Sequence, residues 1–506
     1  MSGEDKRMPA ERPRLDRGAL TGEALAAFER MRQSPVKVLQ IGEGNFLRGF
    51  VDWMLQKSRD AGLFDGSVAV TQPRPHGAAK LAELKRQDGL YYQLTRGIRD
   101  GRQVEERELI GVFGAIVDPY AEWETFLRLA EGPELAVVVS NTTEAGLVYA
   151  PSEWNPAQPV VSYPAKLTMF LYKRFVHFGG KPEAGLLLLP CELVERAGDK
   201  LRELVLRHAA DWQLPEPFAD WLRAHNRFLN SLVDRIVTGY AEDAAEALAA
   251  ELGFADGLLN AAEPYYLWAI EGEPALDDVL PLAKAGLNVR WVGELAPYQL
   301  RKVRILNGAH TLLASLCLIN GVNEVREAAE HPVYGPLLLR ALDEEIVPAV
   351  PLPQAEMKAY AADVLERFRN PFIRHRLADI AMNSLSKFRT RLLPTLLGHL
   401  ERTGELPPLV TEALASLLRM YRACREGEGF VGARLDGSPL PLRDDAAALA
   451  ELARLWAAVD AGTSTLEQLT AEALGNAAWW ERDLNELPGL AQAVAAHLRR
   501  METTNR

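Results

Sequence analysis

Two patterns of apolar positions divide the chain. Up to about residue 290, short apolar runs of strand length alternate with stretches of helical spacing, whereas from about residue 297 onward helical spacing dominates. Val36-Lys37-Val38-Leu39-Gln40-Ile41 has the first strand pattern, and Phe50, Val51, Trp53, Met54 and Leu55 recur after it at helical intervals. Residues 67–71 read as a second strand, and the apolar runs at 135–140 and 185–190 have the pattern of strands buried on both faces of a parallel sheet. Helical segments are expected from about Asp199 through Val233-Asp234-Arg235-Ile236-Val237-Thr238-Gly239, with a last strand-like piece at 288–292. Beyond it the spacing predicts helices over 355–367, 373–393, 408–425, 445–461 and 465–473. Residues 1–35, rich in Arg, Glu, Asp and Pro with one short helical pattern at 20–31, read as a solvated lead-in. The prediction is an α/β protein, with a mostly parallel sheet domain over 36–290 and a mainly α-helical domain over 291–506.

One stretch of the helical half carries candidate chemistry. On a wheel of about 100° per residue, Ile305, Leu306, Ala309, Leu312, Leu313 and Leu316 share an apolar stripe, with Lys302 near its middle. Asn307 and His310 lie on its flank, three residues apart and therefore neighbours on the helix surface. Arg301 and Arg304 are expected to point the other way. A lysine on the buried side of a helix sheds the hydration that supports its charge, which makes Lys302 a candidate proton donor or acceptor. The competing reading is a lysine that snorkels to water beside structurally satisfied neighbours.

The first strand runs straight into Gly42-Glu43-Gly44-Asn45-Phe46-Leu47-Arg48-Gly49. Strand, glycine turn and helix form the setting in which a G-x-G sequence binds a pyrophosphate. The first glycine permits the turn, and the second lets backbone amides approach the anion at the helix N-terminus. The domain is therefore read as Rossmann-like, although Leu47 takes the place of the third glycine and an ordinary strand-to-helix turn is the alternative. An acid for the adenosine ribose commonly ends the second strand. Here Gln72 stands there, leaving NAD against NADP open, and Arg74 offers a charge to a 2′-phosphate. The strand at 135–140 ends in Asn141-Thr142-Thr143-Glu144, at the sheet edge where ligands of open α/β sheets lie.

The chain has 506 residues, 48% of them hydrophobic and 25% charged, so a large core is expected. The net charge of −12 argues against nucleic acid or an anionic membrane as partner and leaves a small molecule as the expected one. Cys191, Cys317 and Cys424 are too few and too scattered for a disulfide framework or a metal site. With no leader pattern and no run of membrane length, a cytoplasmic location is expected. The sequence leaves oligomeric state open.

In order along the chain, Ile41-Gly42-Glu43-Gly44-Asn45-Phe46-Leu47-Arg48, Ser140-Asn141-Thr142-Thr143-Glu144, Val233-Asp234-Arg235, Glu263-Pro264 and Lys302-x4-Asn307-x2-His310 resemble the polyol-specific long-chain dehydrogenases, the mannitol dehydrogenase family. The resemblance covers roughly residues 36–500. It implies metal-independent hydride transfer with NAD as cofactor, bound by residues 41–48, Gln72, Asn141, Thr143 and Glu144. Lys302 would then match the catalytic lysine, removing the hydroxyl proton in oxidation and returning it in reduction. Asn307 and His310 would hold and polarise the reacting oxygen. The closest branch of the family implies a sugar-acid substrate, with D-tagaturonate and D-altronate interconverted in hexuronate catabolism. Fructuronate reduction, oxidation of an uncharged polyol, and a dinucleotide-binding sugar-acid sensor without turnover are the alternatives.

A carboxylate is best met by arginine's planar fork. Arg374 and His375, in Asn370-Pro371-Phe372-Ile373-Arg374-His375-Arg376, are expected at a helix start where the dipole also favours an anion. Ser386-Lys387-Phe388-Arg389 adds a second cationic cluster. Asp234 is a further substrate-binding candidate, with a salt bridge to Arg235 or a helix cap as its structural alternative. One departure from the family pattern stands out. Cys191-Glu192-Leu193-Val194-Glu195-Arg196-Ala197-Gly198 contains no asparagine, so a second amide donor to the reacting oxygen is missing there.

Overall fold

The computed structural model describes residues 12–427 and 429–504, so the first eleven residues of the expected lead-in lie outside it. The described chain forms two units, one from the residues up to 96 with 103–295, the other from 97–102 with the residues from 296 on.

The first unit is built on β1 (Val36–Ile41), β2 (Ser67–Thr71), β5 (Phe113–Val117), β6 (Val137–Ser140), β7 (Leu187–Pro190) and β8 (Arg227–Phe228), while β3 (Tyr91–Arg99) and β4 (Arg102–Ile110) are neighbours in a second, four-stranded sheet. The six pair in parallel in the order β5-β2-β1-β6-β7-β8. Successive side chains of a strand face opposite ways, and two cores result. Val38, Val68, Val70, Val137, Val139 and Leu189 enter one. Leu39, Ala69, Val138 and Leu188 enter the other. The first core is closed by Phe50, Met54 and Leu55 from the helical run after the glycine turn. The second is closed by Leu167, Phe170 and Leu171 of the helix Tyr163–Phe178, whose start is capped by Ser162. Strand order reverses between β1 and β6, which sets a crevice at their carboxyl ends.

Two sequence expectations for this unit are corrected. Residues 231–239 are not helical. They form β9 (Ser231–Asp234) and β10 (Val237–Gly239), which pair with β12 (Leu267–Glu271) and β11 (Asn260–Ala262). The strand pattern at 288–292 becomes β13 (Val289–Val292), parallel to β12. The hairpin of β3 and β4 and the core strand β5 were not expected: β4 is solvated along most of its length and shows no apolar alternation, whereas residues 112–117 carry an apolar run of strand length that went unread. The lead-in is not solvated throughout. Its helix Gly22–Arg32 forms where the spacing placed it, and Leu15, Leu20, Phe28 and Met31 pack with Leu90 as a small core of their own.

The second unit is mainly helical and also holds a three-stranded sheet of β14 (Ala423–Glu426), β15 (Gly429–Ala433) and β16 (Pro439–Leu442). The helix expected over 408–425 therefore ends at Met420. The helix expected over 373–393 is broken. Asn370 precedes Pro371, which disfavours helical backbone, and residues 369–376 are irregular; after Leu377–Ile380, Asn383 in a left-handed conformation separates the helix Ser384–Arg391. Among the described residues no helix is long and apolar enough to cross a membrane.

Candidate active site

In the first unit the backbone builds the cleft. Gly42 has φ of 133°, and a Cβ there would meet the Asn141 carbonyl at 2.8 Å, so only glycine lets β1 turn against the β6 tip. Gly44 caps a helical run in three segments, Asn45–Leu47, the π-helical Arg48–Asp52, and Trp53–Asp60. The open cleft, about 440 Å³, is lined by residues 42–47 together with Pro73, Arg74, His76, Gly77, Asn141, Thr142 and Thr143. Ile41 is buried beneath it. Glu144 begins the short helical turn Glu144–Gly146 just beyond. Thr143 has φ of 68°, a strained value for a side-chain-bearing residue, held at the strand tip that faces the cleft.

Arg48 takes a different place. Its guanidinium is buried, donates to the Leu258 carbonyl and to Asn45 Oδ1, and lies 4.9 Å from the Tyr91 ring. It braces the helix start and does not line the cleft. Gln72, fully buried at the end of β2, donates through Nε2 to Asp118 Oδ1 at 2.7 Å. Behind it Lys166 is fully buried, donating to the Pro73 carbonyl at 2.9 Å and Tyr120 Oη at 2.7 Å. Burial brings the Lys166 ammonium down to about 7 and pushes the Glu43 carboxyl up.

The segment after Cys191 serves the β6 tip. Glu192 accepts from Ser140 Oγ at 3.1 Å, the Thr142 amide at 2.9 Å and Thr142 Oγ1 at 3.1 Å. Asn141 Nδ2 donates to the Cys191 carbonyl at 2.9 Å. Asp234 closes β9 opposite Leu267, which removes the helix-cap alternative. Its neighbour Arg235 is a structural clamp, donating to the carbonyls of Glu263 at 3.0 Å and Gly49 at 2.7 Å and lying 4.1 Å from the Trp53 ring.

In the second unit one continuous helical run carries Lys302, Asn307 and His310. It comprises Ala296–Arg301, a π-helical turn Lys302–Asn307 and Gly308–Leu318. In an α-helix, residues five apart stand about 140° apart. A π turn, closed by i→i+5 hydrogen bonds, brings them to one side. Lys302 and Asn307 therefore share a face, and His310 follows three residues on. The wheel is corrected in two respects. Lys302 is partly exposed and not in a dry stripe, and Arg304 turns inward, where its guanidinium donates to Thr395 Oγ1 at 3.1 Å. Burial lowers that guanidinium to about 10.

His310 is 7% exposed, stacks on Phe368 at 4.3 Å and meets His375 edge-on at 4.7 Å. Burial, followed by the charges of His375, Arg367, Arg391 and Lys387, holds His310 well below the ordinary histidine range, so it is neutral. Arg391 donates to Thr311 Oγ1 at 3.2 Å, and Lys387 donates to the Ile380 carbonyl at 2.8 Å. His375 thus lies against His310. Arg374 does not start a helix. It lies exposed in the 369–376 segment, paired with Glu324 at 3.1 Å. Sequence reasoning passed over Phe368, Arg367 and Arg391. Only Arg391 had a signal, standing one turn after Lys387 on the same helix.

This combination defines a class. The mannitol dehydrogenase Rossmann domain matches residues 36–284 and the mannitol dehydrogenase C-terminal domain matches residues 294–502, and the chain belongs to the mannitol dehydrogenase family. Within it, the chain is 44% identical to an altronate oxidoreductase of Pectobacterium carotovorum subsp. carotovorum over 92% of this chain and 94% of the relative. It is 41% identical to the altronate oxidoreductase of Bacillus subtilis over 93% and 94%. Among solved structures, a D-sorbitol dehydrogenase in substrate-free form shares the fold with a TM-score of 0.76 at 20% identity, covering 94% of this chain and 95% of the other. A mannitol 2-dehydrogenase of Pseudomonas fluorescens, solved as a ternary complex with NAD and D-mannitol, does so with a TM-score of 0.63 at 19% identity, covering 98% and 95%.

Proposed function

We infer that the chain is a nicotinamide-dinucleotide-dependent oxidoreductase that interconverts D-tagaturonate and D-altronate in hexuronate catabolism. The observation that carries this is identity above 40% with altronate oxidoreductases over nearly the whole length of both proteins. NAD is the proposed cofactor, the nucleotide in the mannitol 2-dehydrogenase complex. The first unit's cleft fits such a group. Glycine backbone opens it, a helix start supplies amide donors, and the acceptor oxygens Glu43 Oε2 and Gln72 Oε1 are buried without partners.

A nicotinamide dinucleotide held there would supply hydride transfer to or from the substrate carbon. The chain's own residues do the rest. Lys302 Nζ gives the proton to the carbonyl oxygen in reduction and takes it back in oxidation. Asn307 donates its side-chain amide to that oxygen. His310, neutral and wedged against Phe368, presents one ring N–H in a fixed orientation. Arg367, Arg391 and Lys387 surround His310 with positive charge, which suits a substrate carrying a carboxylate. Arg374 contributes from the rim when it leaves Glu324, and Asp234 is assigned to a substrate hydroxyl. No metal takes part in this scheme. Among the described residues no three His, Cys, Asp or Glu side chains gather as a ligand set.

The test is a substrate panel. With NADH, D-tagaturonate should be reduced at least about 100-fold more efficiently, in kcat/KM, than D-fructose, which lacks the carboxylate. Equal rates on the two would overturn the sugar-acid assignment, and faster turnover of D-fructuronate would move it to the other epimer.

A further inference from the structure

The second strand lacks the acid that usually recognises an adenosine ribose, yet polar oxygens collect beside the vacant place. Gln72 is fully buried, and its amide nitrogen is committed to Asp118 Oδ1 at 2.7 Å. That bond fixes which way the amide lies, leaving Gln72 Oε1 buried with no hydrogen-bond partner. Glu43 Oε2 is likewise buried and unpartnered. The two side chains converge on one spot. A Cβ placed on Gly77 would lie 2.5 Å from Glu43 Oε1 and 2.6 Å from Gln72 Oε1, so those two oxygens are at most about 5 Å apart. Gly77 and Glu43 border the cleft described above, as does Pro73, the residue after the buried Gln72. Asp118 is itself pinned, since Oδ1 also accepts from the Tyr120 amide at 2.9 Å.

We propose that Glu43 and Gln72, with Asp118 holding Gln72 in place, form the acceptor set that binds the hydroxyls of the adenosine ribose and turns away a 2′-phosphate. The proposal rests on the dinucleotide reading of the cleft. Buried acceptors without donors are costly to leave unmet, and the ribose 2′- and 3′-hydroxyls would each supply one donor. A 2′-phosphate brings acceptors and negative charge to the carboxylates of Glu43 and Asp118, so the same groups reject it. Against the burial that raises the Glu43 carboxyl, the charges of Lys80, Arg48 and Lys166 favour its ionised form. The Lys166 ammonium is turned inward to the Pro73 carbonyl and Tyr120 Oη, and Arg74 stands exposed at the rim, where water screens it. The acid of the second strand is thus replaced by one from the glycine turn and one from the end of β5, a neighbour only through the β2–β5 pairing.

Direct binding tests this without turnover. Titration calorimetry with NADH, NADPH, ADP-ribose and its 2′-phosphate should show the wild type preferring the unphosphorylated member of each pair by about 100-fold. Glu43→Gln, with an unchanged melting temperature, should weaken NADH by about 10-fold and narrow the preference. Asp118→Asn, which frees the Gln72 amide to turn over, should narrow it too, and the double variant should approach parity. Equal wild-type affinities, or a preference unmoved in folded Glu43→Gln, would overturn the proposal while leaving tagaturonate reduction with NADH intact. Binding of neither nucleotide would bring down the dinucleotide reading and the proposal together.

Discussion

Single residues show how far burial decides protonation. His310 is packed between Phe368 and His375 and ringed by cations, so its imidazole is neutral through the physiological range. The pH profile of kcat/KM for tagaturonate reduction should accordingly show no inflection near 6.5 that disappears in His310→Asn, while that variant loses about 100-fold in kcat. An inflection there, lost on substitution, would mean a charged histidine. Asp52 illustrates a second case. Its Oδ2 accepts from Gln40 Nε2 at 3.1 Å, but Oδ1 and Gln40 Oε1 are buried without partners. Burial raises the Asp52 carboxyl from 3.8 to about 8. The folded state therefore holds a proton that the unfolded state releases between about pH 4 and 8, and stability falls as pH rises through that window. Asp52→Asn removes this term. Its melting temperature should exceed the wild type's by about 3 °C or more at pH 9 and by less at pH 6. Parallel pH dependence of the two proteins would contradict a protonated Asp52. The acceptors Glu43 and Gln72 belong to the same scale, since both were visible in the sequence but their shared donor-poor corner was not.

At the scale of the element, the π turn over Lys302–Asn307 matters most. A wheel drawn at a constant angle cannot contain it, because one extra residue per turn shifts the register of everything before it. That is why the sequence placed Lys302 inside the stripe and Arg304 outside, and why the structure reverses both. The inward Arg304 anchors the turn through Thr395. Thr395→Val should leave a buried guanidinium short of an acceptor, cost about 1–3 kcal/mol of stability, and lower kcat as the turn relaxes. Thermal melts and steady-state rates on one preparation check both, and a variant unchanged in each would remove the anchor. Residues 231–239 failed for a related reason. Leu232, Val233, Ile236 and Val237 stand at intervals that a helix and two short strands both satisfy, and only pairing with β11 and β12 decides between them. The runs behind β1, β6 and β7 were legible because strands buried on both faces are apolar throughout.

Across the whole molecule, the sequence showed the Rossmann-like first unit, the mainly helical remainder and the ordered motifs of the mannitol dehydrogenase family. It did not show Asp118 beside Gln72, Glu192 tying down the β6 tip, or Arg391 beside Thr311. Each of these depends on which elements become neighbours, which no local pattern records. The first unit supplies a cleft suited to a dinucleotide, and the second supplies a lysine, an amide and a neutral imidazole along one helical face amid positive charge. Lys302 is the group proposed to move the proton. The most direct measurement is NADH oxidation with D-tagaturonate by wild type and Lys302→Ala, paired with calorimetric binding of NADH to each. Loss of about 1,000-fold or more in kcat with NADH affinity unchanged is the predicted result. A variant that retains wild-type kcat would contradict the account at its centre.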